Sequence, residues 1–273
     1  MRSPPIPADD TALTAACRER LRFVLVGTQH PGNIGSSARA LHTMGLSQLW
    51  LVAPGRFPDP EADALAAGAG AVLAMARVVP TLDAALADCR VVYGCSARGR
   101  HVALPELSPR EAAAQLAAAT ADGPVALVFG PERTGLDNRD LQRCHTAVRI
   151  PANPEYPSLN LAAAVQVLAY EVRMAALHGA LPLLAPTAAL SPSAAPAAEG
   201  GVTQAEMEAL FAHFEATLTA IDFHKGRPPG VVMGKLRRLL FRARPEPREL
   251  RLLRGILADV ERIARLAGMP PDP

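Results

Sequence analysis

The stretch RFVLVGTQHPGNIGSSARALHTMGL, residues 22–46, passes from an apolar run through a Gly- and Pro-marked turn into residues of helical period. The run 22–27 lacks polar alternation after Arg22, so it reads as a strand covered on both faces, with residues 34–44 as the helix that follows. The same alternation recurs along the chain. QLWLVAP (48–54), RVVYG (90–94), PVALVFG (124–130) and TAVRIP (146–151) are further Val- and Leu-rich runs closed by Gly or Pro. Helical segments at 61–67, 82–87, 109–119 and 138–144 fall between them. This pattern predicts a doubly wound α/β layout around a parallel sheet, in which ligands bind at the carboxyl ends of strands. Residues 158–178 form the strongest helix, with Leu161, Val165, Leu168, Val172 and Ala176 on one stripe. Gly179 is placed to end it, and Ser158 is its N-cap or lies in the turn just before.

Working outward, the 273 residues divide into four parts: a flexible arm (1–20), the α/β domain (21–178), an Ala/Pro-rich linker (179–201) and a helical C-terminal domain (202–273). The arm carries prolines and acids where a signal peptide would have an apolar core. Pro182, Pro186, Pro192 and Pro196 exclude a bilayer-spanning helix from the linker. In the tail, Thr203 and Glu206 have capping-box spacing, and helices are predicted over 208–223, 231–241 and 247–266. With 49% hydrophobic residues the chain buries a real core, which excludes disorder throughout. Lys225 and Lys235 are its only lysines, so lysine chemistry before residue 225 is excluded. Cys17, Cys89, Cys95 and Cys144 form no C-x-x-C pair and have no His at ligand spacing, so no metal site or disulfide framework is expected and the cytoplasm is the natural compartment. A net charge of +2 and 4% aromatics argue, taken alone, against a dedicated nucleic-acid binder. The charge is unevenly spread, however. Residues 1–177 carry 16 basic and 16 acidic groups, while 224–244 holds seven basic residues and no acid, a run that reads equally as a solvated helix face or a phosphate-binding patch.

Three clusters carry candidate chemistry, each at the carboxyl end of a predicted strand. In the first, Gly27, Gly32 and Gly35 allow tight turning and close approach to a ligand, and a helix start near Asn33 offers N–H groups to an anion. Asn33 and Ile34 stand where a phosphate loop needs Lys and Ser/Thr, and G-x-G-x-x-G is absent, so neither an ATPase nor a dinucleotide-dependent oxidoreductase is indicated. Arg39, by spacing alone, is a surface arginine. The second cluster, FGPERTGL (129–136), presents Glu132 and Arg133, which in the plainest reading form an ion pair capping the next helix. In the third, IPANPEYPSLNLAAA (150–164), prolines fix an extended loop that ends at Ser158 and Asn160.

Taken in order, GNIGSSARALHTMGL, LWLV, FGPERTGL and ANPEYPSLNLAAAVQVLAYEVRMA resemble the signature motifs of the SPOUT class of S-adenosylmethionine-dependent RNA methyltransferases, and more narrowly its TrmJ subfamily. That subfamily methylates the ribose 2'-oxygen of cytidine or uridine at anticodon-loop position 32 of tRNA. The resemblance spans residues 21–177 and, more weakly, the tail. It implies a parallel sheet whose C-terminal half is tied in a trefoil knot, a small helical extension, a homodimer packed through the knot, and S-adenosyl-L-methionine as cofactor. The implied cofactor residues are Cys95, Ser96, Ala97, Gly130, Ile150, Pro157, Ser158 and Leu159. Cys95 stands where Thr is expected and Pro157 where Ser is common, which removes an N–H at that position. Arg39 is the implied catalytic residue. A guanidinium holds its proton too tightly to be a good base, so phosphate binding and stabilisation of the developing alkoxide suit it better. Asn33, Glu132, Ser158 and Asn160 would shape the ribose site, and Arg237 and Arg238 would bind tRNA. Direct methyl transfer to oxygen needs no metal and no membrane. The alternatives are a sibling 2'-O-methyltransferase acting on another tRNA or rRNA nucleotide, and a non-catalytic RNA-binding module on the same scaffold.

Overall fold

A computed structural model describes residues 13, 15–97, 104–177 and 201–267. The expected flexible arm therefore falls mostly, and the linker almost wholly, outside the described residues. The chain forms two compact units, Met1–Pro196 and Ala197–Pro273.

The first unit runs α1 (Ala15–Arg20), β1 (Leu21–Val26), α2 (Pro31–Thr43), β2 (Leu49–Val52), α3 (Pro60–Ala66), α4 (Gly70–Ala74), β3 (Arg77–Val79), α5 (Leu82–Leu86), β4 (Val91–Cys95), β5 (Glu106–Leu107), α6 (Pro109–Ala119), β6 (Val125–Phe129), α7 (Asn138–Leu141), β7 (Thr146–Val148) and α8 (Leu161–Leu177). The seven strands form one sheet in the order β3-β2-β1-β6-β4-β7-β5, and every pairing is parallel. Alternate residues of the central strands feed two cores. Phe23, Leu25, Leu127 and Phe129 pack with Ile34, Leu41, Leu116, Val165 and Leu168 on one face, while Val24, Ala126 and Val128 pack with Trp50, Leu86 and Leu141 on the other. Phe23 and Phe129 stack at 6.0 Å.

Arg22 is buried in β1 without an orphaned charge. Its guanidinium donates to both carboxylate oxygens of Asp88 at 2.6 and 2.5 Å and to the Ala85 carbonyl at 2.9 Å, and lies 4.3 Å from the Trp50 ring. These bonds, against some opposing burial, hold the Asp88 carboxyl below the usual range.

The five predicted strands are present, and two more appear. β3 is a largely exposed three-residue edge and β5 has only two residues, so neither presents an apolar run. α1 and the short Gly/Ala-rich α4 were not anticipated, and α7 stops at Leu141 rather than Cys144. The strong helix begins at Leu161. Asn160 caps it, accepting through Oδ1 from the N–H groups of Ala162 at 2.9 Å and Ala163 at 3.3 Å, so Ser158 lies in the approach.

The glycines of α2 serve packing rather than ligand approach. A Cβ at Gly35 would lie 2.1 Å from the Ala62 carbonyl oxygen of α3, and one at Gly32 would meet Leu65 at 2.6 Å. Helix α2 therefore sits against α3 closer than any side chain permits.

The second unit comprises α9 (Gln204–Ala220), α10 (Gly230–Ala243) and α11 (Pro247–Leu266) around Leu210, Phe211, Met233, Phe241 and Leu257. Thr203 and Glu206 form the expected capping box. No helix among the described residues is long and apolar enough to cross a membrane.

Because the obstructing atom at Gly35 is backbone, Gly35→Ala is expected to destabilise the first unit by about 1–3 kcal/mol through overpacking. A denaturation midpoint equal to wild type would show that α2 and α3 separate at no cost.

Candidate active site

The carboxyl ends of β4, β6 and β7 open into a cavity of about 200 Å³. All eight residues expected to hold the cofactor line it: Cys95, Ser96 and Ala97 leaving β4, Gly130 leaving β6, Ile150 beyond β7, and Pro157, Ser158 and Leu159 on the approach to α8. Phe129, Leu161 and Ala164 complete an apolar wall. Gly130 is required by the loop itself, since a Cβ there would lie 2.1 Å from the Leu136 nitrogen as residues 130–136 fold back. Burial pushes the Cys95 thiol up to about 12, so it is protonated at neutral pH and contributes a wall rather than a nucleophile.

A chain of side-chain hydrogen bonds joins the three sequence clusters. Asn160, the cap of α8, donates through Nδ2 to Asn33 Oδ1 at 3.0 Å, and Asn33 Nδ2 donates to Glu132 Oε1 at 2.9 Å. Glu132 also accepts from the backbone N–H groups of Gln29 at 3.1 Å and His30 at 3.2 Å, immediately before Pro31 opens α2. The anion expected at this helix start is thus the protein's own carboxylate. Partial burial pushes the Glu132 pKa up, but the hydrogen bonds from Asn33 and from nearby backbone N–H groups outweigh it and hold the carboxyl below its ordinary value.

This arrangement replaces the expected ion pair capping the next helix. Glu132 serves α2, and α7 is capped by a box formed from Asp137 and Asp140. Arg133 is exposed, lines the cavity and makes no ion pair with a described residue. Pro131, Arg133, Thr134 and Gly135 were not singled out as lining residues, although the loop that carries them was.

The other expected residues are placed apart. Ser158 is exposed on the cavity wall. Arg39 is exposed on α2 and is not among the described residues lining the cavity; its carbonyl accepts from the Thr43 hydroxyl at 2.7 Å, while its guanidinium bonds to no described residue. It follows Asn33 by about 240° of helical rotation and roughly 9 Å of rise. Arg237, in the second unit, is not a free cation. It donates through both terminal nitrogens to Glu208 at 2.6 Å and stacks 4.3 Å over Phe211. The expectation that Arg237 binds tRNA thus meets a guanidinium that is already engaged within the fold. Arg238 is exposed, with Nε donating to the Gly234 carbonyl at 3.3 Å.

Residues 20–170 match the SpoU rRNA Methylase family, and residues 205–268 match the TrmJ C-terminal domain of tRNA methyltransferases. The chain belongs to the SpoU methylase family. Among relatives in that family, the tRNA (cytidine/uridine-2'-O-)-methyltransferase TrmJ of Escherichia coli K12 is 52% identical over 252 residues, covering 89% of this chain and 96% of the relative. The TrmJ of Klebsiella pneumoniae is 51% identical over 247 residues, covering 89% and 97%. The crystal structure of TrmJ from Z. mobilis ZM4 superposes with a TM-score of 0.73 at 36% identity, covering 88% of this chain and 98% of that one. A probable methylase family protein from Haemophilus influenzae Rd KW20 gives 0.56 at 41% identity, covering 90% and 98%. The fold is accordingly the SpoU-type parallel α/β fold with C-terminal helices.

Because the Glu132 pKa is depressed in the fold, its contribution to stability is complete above the unfolded-state value of about 4.3 and is lost as pH falls through the folded-state value. Glu132→Gln is therefore expected to melt below wild type at neutral pH, with the gap narrowing once pH drops under about 4.3. A gap that stays constant down to acid pH would separate the carboxylate charge from its capping role.

Proposed function

We propose that this protein transfers a methyl group from S-adenosyl-L-methionine to a ribose 2'-hydroxyl of tRNA, at cytidine or uridine of anticodon-loop position 32. The observation that carries this reading is 52% identity to a TrmJ enzyme across almost that enzyme's whole length. The cavity assembled by the three motif loops supports it.

The lining suits an adenosyl sulfonium: apolar side chains for a ring, loop backbone for its polar edges, and in Glu132 a single fixed anion. When bound, the cofactor supplies an electrophilic methyl. The chain's own task is to orient a weakly nucleophilic hydroxyl and stabilise the charge that develops on its oxygen. Asn33, bonded to Glu132, and Asn160, bonded to Asn33, form a preorganised polar pair tied to the cavity wall and offered to a ribose. Arg39 has an unengaged guanidinium and serves as the cation for the adjacent phosphate and developing alkoxide. The Glu132 clamp on the start of α2 holds the helix that carries it. A cytoplasmic homodimer, knotted as the family implies, belongs to the same reading.

In the second unit, the exposed stripe Lys235, Arg238 and Arg242 on α10 has no acidic partner among the described residues and grips RNA phosphates. Arg238→Gln is expected to weaken tRNA binding and flatten its salt dependence. Arg237→Gln should instead lower the melting temperature and leave the salt slope unchanged. The reverse pattern would reject this partition.

The deciding experiment is mapping 2'-O-methylation in tRNA from cells lacking the protein. Loss at position 32 is expected. Full methylation there would sink the substrate assignment, and loss at another nucleotide instead would mark a sibling specificity.

A further inference from the structure

We infer that Arg133 is a substrate-binding residue, taking an RNA phosphate next to the target ribose at the rim of the cavity. The inference rests on the methyltransferase reading and adds a residue to it. Among the sixteen described residues that line the cavity, Arg133 is the only cationic side chain and its immediate neighbour Glu132 the only anionic one. The two do not neutralise each other. The Glu132 carboxylate is consumed by the Asn33 amide and the N–H groups of Gln29 and His30, whereas Arg133 is exposed and bonds to no described residue.

Neighbours in sequence thus have opposite duties, with one side chain turned into the fold and the next left at the mouth. A long, rotamer-rich cation with no partner among the described residues has no stabilising duty there that would hold it at the mouth of a cavity. The loop beneath it is nevertheless pinned, by Gly130 packed against residues 135–136 and by the Gly135 N–H donating to the Pro131 carbonyl at 2.8 Å. A cation on a fixed loop at a solvent-facing rim meets the polyanion arriving from solvent. A planar guanidinium matches two phosphate oxygens at once.

Two anions are available to such a cation, the phosphodiester of the RNA and the carboxylate of the cofactor, and exposure at the rim favours the phosphodiester. The test uses the full-length protein with Arg133→Gln and Arg133→Lys. Calorimetry measures S-adenosyl-L-methionine affinity, tRNA binding is followed across a salt series, and melting temperature checks the fold. For Arg133→Gln, cofactor affinity within twofold of wild type is expected, with tRNA affinity reduced several-fold. The slope of log affinity against log salt should fall by about 0.7, the value for one phosphate contact on a single strand. Arg133→Lys should restore the slope. Weakened cofactor binding with an unchanged salt slope would assign Arg133 to the carboxylate and overturn the inference, as would no change in either. Failure of the wild type to bind cofactor or tRNA would instead strike the methyltransferase reading itself.

Discussion

The carboxylate of Glu132 gathers two backbone N–H groups before α2 and the amide of Asn33, and through Asn33 it reaches the cap of α8. One group so ties the loop after β6 to the helix after β1 and to the helix that closes the unit. Each of the three segments leaves the carboxyl end of a different strand or its loop, and without a common partner each would be an independent surface turn. A half-buried acid in such a place is tolerated only because its charge is met by oriented donors and by the positive end of a helix. The same bonds that satisfy it determine how the loops stand relative to one another, and the walls of the cavity follow from that.

The arginines sort by the same criterion of who satisfies them. Arg22 has Asp88, a carbonyl and the Trp50 face, and Arg237 has Glu208 and Phe211, so both belong to the fold. Arg39, Arg133, Lys235 and Arg242 are exposed and have no acidic partner among the described residues. A net charge of +2 on the whole chain conceals this difference. Among the positive groups without an acidic partner, Arg133 stands at the cavity, Arg39 on α2, and Lys235 and Arg242 along one stripe of α10.

How far the sequence carried the fold depended on whether the determining interaction was local. Buried strands and the long helix announce themselves through apolar period, and Thr203 through its spacing to Glu206. The edge strands β3 and β5 have too few buried residues to leave a pattern, and their place in the sheet comes from their neighbours. Gly35 was legible as special, but its reason lies in α3, some 27 residues later, where no loop motif points. The window 224–244 contains no acid along the chain, yet α9 brings Glu208 to Arg237. At the site, the residue types in the three loops were readable because backbone geometry there demands Gly and Pro. Which helix Glu132 would cap was not, since that partnership joins residues about a hundred positions apart.

The strand order has a temporal meaning. β1 is followed in the chain by β2 and β3, which pair beside it on one side, but its other neighbour is β6, roughly 100 residues later. β4 likewise leaves the ribosome with neither of its eventual partners, β6 and β7, yet made. During synthesis the chain therefore holds a half-sheet with an unpaired inner edge until residues 125–129 arrive and zip both halves together at once. The cavity, whose walls come from β4, β6 and β7, is among the last things the nascent chain can build, so a truncated product has the first helices and strands of the family without any part of its pocket closed.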